Sequence, residues 1–309
     1  MATRRATTGC GIVRVVRVGD SACLETLYSS YPIKLLPIAA SDDPRCTQLY
    51  VIGHGGGLVS GDAINLHFTL ENDSILVLKT QGSTKVYRGN ARHDPATRQE
   101  IIAKVYDDAF LVSVPDPVTC FKDSKLIQNQ VYRLSEQASC IIVDSFTSGR
   151  SSNGEVWEAS HIINNLQLFI NDKLVFMENL DLQPTNGVTI SEKIGNCRVF
   201  GIVLLVGPQT LRFRDGLQSI KERPSFKLHK LQSQKNGEDK NAGMLVSISD
   251  ITGGKSSGAV LRFSGDSVES AYCFLAELFE IFATDIKLAQ PPYMDRVNTD
   301  FLARRREEW

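Results

Sequence analysis

Ile64-Asn65-Leu66-His67-Phe68-Thr69-Leu70 is the stretch that decides the fold class. Ile64, Leu66, Phe68 and Leu70 share one face of an extended chain, while Asn65, His67 and Thr69 share the other, because successive side chains of a strand point to opposite sides. Ile162, Leu166, Leu168 and Ile170 repeat the pattern, with Asn164 interrupting their apolar face. Shorter apolar runs at Ile75–Leu78, Ile101–Tyr106, Phe110–Val114, Cys140–Val143 and Ile202–Val206 are bounded by Gly, Pro, Asp or Asn, which is strand length with strand punctuation. Roughly a dozen short strands result, and no helix alternates with them, which argues against a doubly wound α/β fold.

Two helices interrupt this pattern. Residues 209–222 place Leu211, Leu217 and Ile220 at helical spacing and stop before Pro224. Residues 266–283 carry the apolar stripe Val268, Tyr272, Leu275, Leu278, Phe279 and Phe282, with Asp266 and Glu269 as an expected capping box. The expectation is a mainly β single domain over 1–309, with an exposed polar loop at 232–243 and a charged, extended tail at 291–309.

Outward from Ile64–Leu70 lie two clusters of glycine and polar residues, Gly55-Gly56-Gly57-Leu58-Val59-Ser60-Gly61-Asp62 and Thr80-Gln81-Gly82-Ser83-Thr84-Lys85-Val86-Tyr87-Arg88. Their spacing predicts turns of one sheet that face each other. Glycines there permit positive φ and close backbone approach. Catalysis, a polar passage and partner docking all use such clusters.

Composition narrows the choice. The net charge is −1, from 34 basic and 35 acidic residues, so the chain lacks the basic excess of a general nucleic-acid binder. No apolar run approaches the roughly 20 residues that span a bilayer. Arg4 and Arg5 have no apolar run behind them, so no secretory signal is expected. The seven cysteines, at 10, 23, 46, 120, 140, 197 and 273, form no CxxC pair and read as reduced residues of a cytoplasmic protein.

Two enzyme motifs are imitated. His54-Gly55-Gly56-Gly57 copies an esterase oxyanion loop, and Gly254-Lys255-Ser256-Ser257-Gly258 matches GxSxG. The hydrolase order requires a histidine after the nucleophile, yet histidines 54, 67, 93, 161 and 229 all precede Ser256. The same segment ends like a phosphate-binding loop, but Ser249 stands where the motif needs glycine, and strand-like residues follow instead of a helix. A glycine-rich hairpin is the simpler reading. No HxH, HExxH or close His/Cys set marks a permanent metal site.

The clusters occur in a fixed order: Tyr31-Pro32-Ile33-Lys34-Leu35-Leu36-Pro37, residues 55–62, residues 80–88, Pro115-Asp116-Pro117, Val143–Arg150 and Gly154-Glu155-Val156-Trp157. This series resembles the urease accessory protein UreD, called UreH in some organisms, over about residues 10–230. Ser60 stands where many relatives have glycine. The resemblance implies a mostly β fold stacked like a β-helix and a non-enzymatic chaperone. It implies partners in a UreF-like protein, a UreG-like GTPase and apo-urease, with Ni²⁺ as a transient passenger rather than a bound cofactor. On that reading Asp62, Thr80, Ser83, Thr84 and Glu155 are candidates for a nickel path. Lys85, Tyr87, Arg88, Asp144, Arg150 and Trp157 are candidates for structure or partner contact, with Lys85 and Arg88 expected to pair with Asp62, Asp144 or Glu155. The alternative within the same class is an adaptor whose polar clusters only hold turns.

Overall fold

Parallel pairing between strands far apart in sequence builds the centre of the molecule. The computed structural model describes residues 8–38, 43–89, 94–150, 153–214, 217, 244–253, 256–283 and 292–297. Strand β1 (Thr8–Val18) turns back as β2 (Ser21–Ser29), and β3 (Ile33–Ile38) pairs antiparallel with β4 (Cys46–Gly53). The chain then winds in repeated circuits: β5 (Gly57–Leu58) and β6 (Ala63–Leu70), β7 (Ile75–Thr80), β8 (Lys85–Val86) and β9 (Thr97–Val105), β10 (Phe110–Ser113), β11 (Val118–Cys120) and β12 (Lys125–Leu134), then β13 (Ser139–Thr147) and β14 (His161–Ile170). Strands β1, β6, β9, β12 and β14 stack in parallel as one sheet, and β4, β7, β10 and β13 as the other. This is the mainly β, β-helix-like architecture expected above.

Antiparallel additions finish both sheets. Strand β15 (Lys173–Leu182) folds back on β14, giving the first sheet the order β15-β14-β12-β9-β6-β1-β2. After a one-turn helix α1 (Ile190–Ile194), β16 (Val199–Val206), β17 (Leu245–Gly253) and β18 (Ser256–Gly265) extend the second sheet beyond β13. Strands β17 and β18 run antiparallel, with Gly253 pairing with Ser256; Gly254 and Lys255 of the Gly254–Gly258 motif lie outside the described residues. Helix α2 (Val268–Ala283) lies across the outer face of the second sheet.

The two sheets read differently in sequence for a physical reason. The first sheet has one face toward solvent, so β14 alternates between part-buried and buried positions throughout. The second sheet is covered on both faces, by the first sheet and by α2, so all nine residues of β13 are buried. Val13, Leu66, Phe68, Leu111, Ile142 and Leu168 pack between the sheets, and Val77, Val112, Ile141, Leu205, Phe274 and Leu278 pack beneath α2. Among the described residues, no helix is long and apolar enough to cross a membrane. Cys46, Cys120, Cys140 and Cys273 are buried, Cys10 and Cys197 are half-buried, Cys23 is exposed, and none is in a disulfide.

Several local features differ from the expectations. Helix α2 begins at Val268, and its N-terminal amide at Ser270 is capped by the Ser267 hydroxyl at 3.1 Å rather than by Asp266. One step along the chain moves the capping position because the cap must lie just outside the first helical residue. The 209–222 helix is represented by a 3-10 turn at Pro208–Thr210 and helical residues 211–214 and 217; its remainder falls outside the described residues, as does the 232–243 loop. Helix α1 was not anticipated, although Thr189 and Glu192 form a complete capping box there. Of the tail read as extended, residues 292–297 form a turn and a 3-10 turn (Met294–Arg296), with Tyr293 and Val297 buried.

Candidate functional site

Register places a row of polar side chains where an apolar core is due. Gln99, Gln128 and Asn164 are direct neighbours across β9, β12 and β14, and Gln130 follows Gln128 on the same face. Asn164 and both β12 glutamines are buried, in the phase that Leu126, Tyr132, Ile162 and Leu166 fill with apolar groups. From the opposite sheet, Asp144 of β13 projects into this row. Its carboxylate accepts from Asn164 Nδ2 at 2.5 Å and from Gln128 Nε2 at 3.2 Å, so the two sheets are bridged by hydrogen bonds at this level. Asn164 Oδ1 in turn accepts from Gln128 Nε2 at 3.0 Å, and Tyr132 Oη donates to Gln130 at 2.8 Å.

Gln128, Gln130, Tyr132 and Asp144 line a cavity of about 440 Å³ between the sheets. Six waters of an ion's first shell need roughly 200 Å³ at their liquid volume, less than the cavity's own. Gln99, Gln128, Gln130, Asp144 and Ser145 contribute to its polar wall. Burial pushes the Asp144 carboxyl up to about 6, although the amides of Asn164, Gln130 and Gln128 pull the other way. Among the described residues, no lysine, arginine or histidine forms an ion pair with it. The Ser145 hydroxyl, also in the cavity wall, is buried and has no hydrogen-bond partner among the described residues. A buried hydroxyl without a partner costs about 1–3 kcal/mol, which a polar occupant of the cavity would relieve.

The cavity reaches the outside through a breach in the second sheet. Three neighbouring circuits lose pairing at the same level. The first break separates β4 from β5 at residues 54–56, the second separates β7 from β8 at 81–84, and the third separates β10 from β11 at 114–117. Consequently β13 pairs through Ile142 with β10 and again from Phe146 with β11, and Val143, Asp144 and Ser145 between them face a gap on that side. The three breaks are the glycine cluster, the Thr-Gln-Gly-Ser-Thr cluster and the Pro-Asp-Pro segment. The first two clusters lie side by side in one sheet rather than facing each other across it: Gly57 pairs with Lys85, and Tyr87 N donates to Leu58 O at 2.8 Å. Gly57 is required there, since a Cβ would collide with Lys85 O.

Thr80, Ser83, Thr84 and Lys85 line the cavity at this breach. Asp62 and Glu155 are not among its lining residues. Asp62 is buried in the turn after the glycine cluster, where Oδ2 accepts from Val59 N at 3.0 Å. Glu155 is held by Arg150, with Arg150 Nε 3.1 Å from its carboxylate, and that guanidinium keeps the carboxyl below its usual range. Arg150 also lies over Phe121 at 4.4 Å, and Phe121 meets Tyr87 edge-on at 5.2 Å. The Glu155 ion pair forms with Arg150 instead; among the described residues neither Lys85 nor Arg88 pairs with Asp144 or Glu155. Trp157 is a core anchor: it is buried, stacks on Phe200 at 5.2 Å, and donates from Nε1 to Cys197 O at 2.6 Å. These residues brace β8 and β11 below the breach.

Gln99, Gln128, Gln130 and Ser145 escaped the sequence reading. A signal was present for the β12 pair, because both occupy the apolar phase of an otherwise alternating strand, as Asn164 does on β14.

A family model described as UreD urease accessory protein matches residues 8–299. The chain is 33% identical over 296 residues to urease accessory protein D of Arabidopsis thaliana, covering 92% of this chain and 99% of that one. It is 30% identical over 285 residues to urease accessory protein UreD of the bacterium Sorangium cellulosum, covering 92% and 84%. A urease accessory protein ureD-like sequence of Schizosaccharomyces pombe is 26% identical over 284 residues. With its β-helix-like sheets and its motif clusters gathered around one breach, the chain belongs to the UreD family of urease accessory proteins.

Proposed function

We propose that this chain is a non-enzymatic scaffold that carries hydrated Ni²⁺ through its inter-sheet cavity toward apo-urease. It would do so in the cytoplasm, in a complex with a UreF-like protein and a UreG-like GTPase. The observation that carries the reading is Asp144, a buried carboxylate without a basic partner among the described residues, set in a ring of neutral amides that opens through the breach. A hard or borderline divalent ion suits carbonyl, hydroxyl and carboxylate oxygens. One carboxylate, already hydrogen-bonded by the side-chain amides of Asn164 and Gln128, attracts the ion without enclosing it in a full ligand set, which is what transit requires. No group of three or more His, Cys, Asp or Glu able to hold a metal occurs among the described residues.

Within this reading Thr80, Ser83 and Thr84 line the entry, and Asp144 is the carboxylate met inside. Asp62 and Glu155 support the path by holding the loops beside it. The test is urease activation in cells lacking this chain, complemented with wild type or Asp144→Asn, with nickel content of urease measured beside a pull-down of the accessory complex. Loss of about 1–3 kcal/mol of charge-assisted interaction slows transfer roughly 5- to 150-fold while assembly survives. Normal assembly with nickel loading at the wild-type rate would leave only the adaptor reading standing.

A further inference from the structure

We infer that residues 292–297 form a strap along the Pro115–Asp116 edge of the breach, on the outer side of the second sheet, where it narrows the opening and is latched by Arg296 on Asp116. The consequence for ion transfer rests on the proposed function, whereas the closure is a separate property of the fold. The strap crosses the face of the second sheet beside α2. Tyr293 is buried, its ring lies 6.1 Å from that of Tyr272 and 5.8 Å from that of Phe279, and its hydroxyl donates to Pro115 O at 2.9 Å. The Arg296 guanidinium makes a fork with Asp116, Nε to Oδ1 at 3.0 Å and Nη2 to Oδ2 at 3.1 Å. Asp116 also accepts from Tyr272 Oη at 2.9 Å and Thr80 Oγ1 at 3.0 Å, and its own amide donates to Thr80 Oγ1 at 2.8 Å.

This knot sits in a wall between two spaces. Lys79, Thr80 and Asp116 line the 440 Å³ cavity and also a second space of about 40 Å³, whose other walls include Tyr293, Asp295 and Arg296. A single layer of side chains therefore separates the large cavity from the underside of the strap. With Arg296 in place the Asp116 carboxylate is paired and saturated with donors, although the same guanidinium also lies 3.4 Å from Asp295. Lifting Arg296 uncovers an anionic group on the cavity rim. A cation in the cavity and the strap on its latch compete for one carboxylate, so each weakens the other by the same factor. The latch is reversible in character: the Arg296 side chain is 28% exposed, and only Pro292, Tyr293 and Val297 of the strap are buried.

Ser113 lines the cavity on the edge of the breach and reports closure without nickel. In the full chain within its accessory complex, Ser113→Cys is labelled with a small methanethiosulfonate reagent and the modified peptide is quantified by mass. Adding Arg296→Gln is expected to speed labelling about fivefold, and Arg296→Lys, which keeps the charge but loses the fork, less. Labelling within about twofold of the Arg296 parent, in a variant that melts normally, overturns the strap. If Arg296→Gln does not fold, hydrogen exchange on the unmodified protein decides. Without added metal, the Arg296 and Val297 amides are expected to exchange well ahead of the β13 amides, as a strap that lifts on its own requires, and exchange as slow as that of β13 overturns the strap. Faster labelling alongside wild-type nickel loading in Asp144→Asn would reject the ion path and keep the strap.

Discussion

Replacing Asp144 by asparagine removes the charge from the cavity while keeping side-chain size, and pH separates that charge from every other effect of the change. The Asp144 carboxyl is raised from 3.8 to about 6, chiefly by burial. The folded state therefore holds this proton more tightly than the unfolded chain does. Stability contributed by the site is complete below the unfolded value, falls as pH rises through the window between 3.8 and about 6, and is flat above it. The full difference is worth about 3 kcal/mol, of which about 2 kcal/mol falls between pH ~4.5 and ~7.5. The asparagine side chain does not titrate, so the variant escapes this loss. Its melting temperature relative to wild type is expected to rise by roughly 4 °C across that range, at roughly 2 °C per kcal/mol for a chain of this size. The assay is thermal unfolding of both proteins in matched buffers, read as the difference at each pH so that all other titrating groups cancel. A difference that stays constant with pH, or one that falls as pH rises, would refute the reasoning. Either result means that Asp144 is charged at little cost, through a cation partner or through water that reaches it freely.

Asp62→Ala leaves the Val59 amide without its carboxylate acceptor, and is expected to cost about 1–3 kcal/mol of stability by thermal melting. Nickel transfer per folded complex is expected to stay near wild type, which assigns Asp62 to the turn. Thr84→Val keeps the shape of a cavity-lining residue and removes its hydroxyl, so nickel loading of urease is expected to slow about 2- to 5-fold with assembly intact. Gly57→Ala drives a Cβ against Lys85 O and the Tyr87 ring, and a fall of about 1–3 kcal/mol or more in unfolding free energy is expected, with loss of accessory-complex assembly in pull-down.

Much of the architecture was legible in the chain itself. Period-2 alternation at Ile64–Leu70 and Ile162–Ile170 marked strands with one solvated face, and the continuous run around Cys140–Val143 marked a strand buried on both. The stripe at Val268–Phe282 marked the helix that covers it. These features depend on local geometry alone, so neighbouring residues carry them. The glycine and hydroxyl clusters were legible as turns for the same reason, but their shared level was not. Residues 54–56, 81–84 and 114–117 become one opening only because parallel stacking puts three circuits in register. Asp144 could be named from the sequence, yet its surroundings could not. Gln128 and Asn164 reach it from strands 16 and 20 residues away, and whether that carboxylate meets an arginine or a ring of amides is a matter of which side chains share a face. Arg296 lies still farther from its own partner, 180 residues from Asp116 in sequence. A strand's own pattern states which face is inward, but only the stacking of distant strands states what waits there.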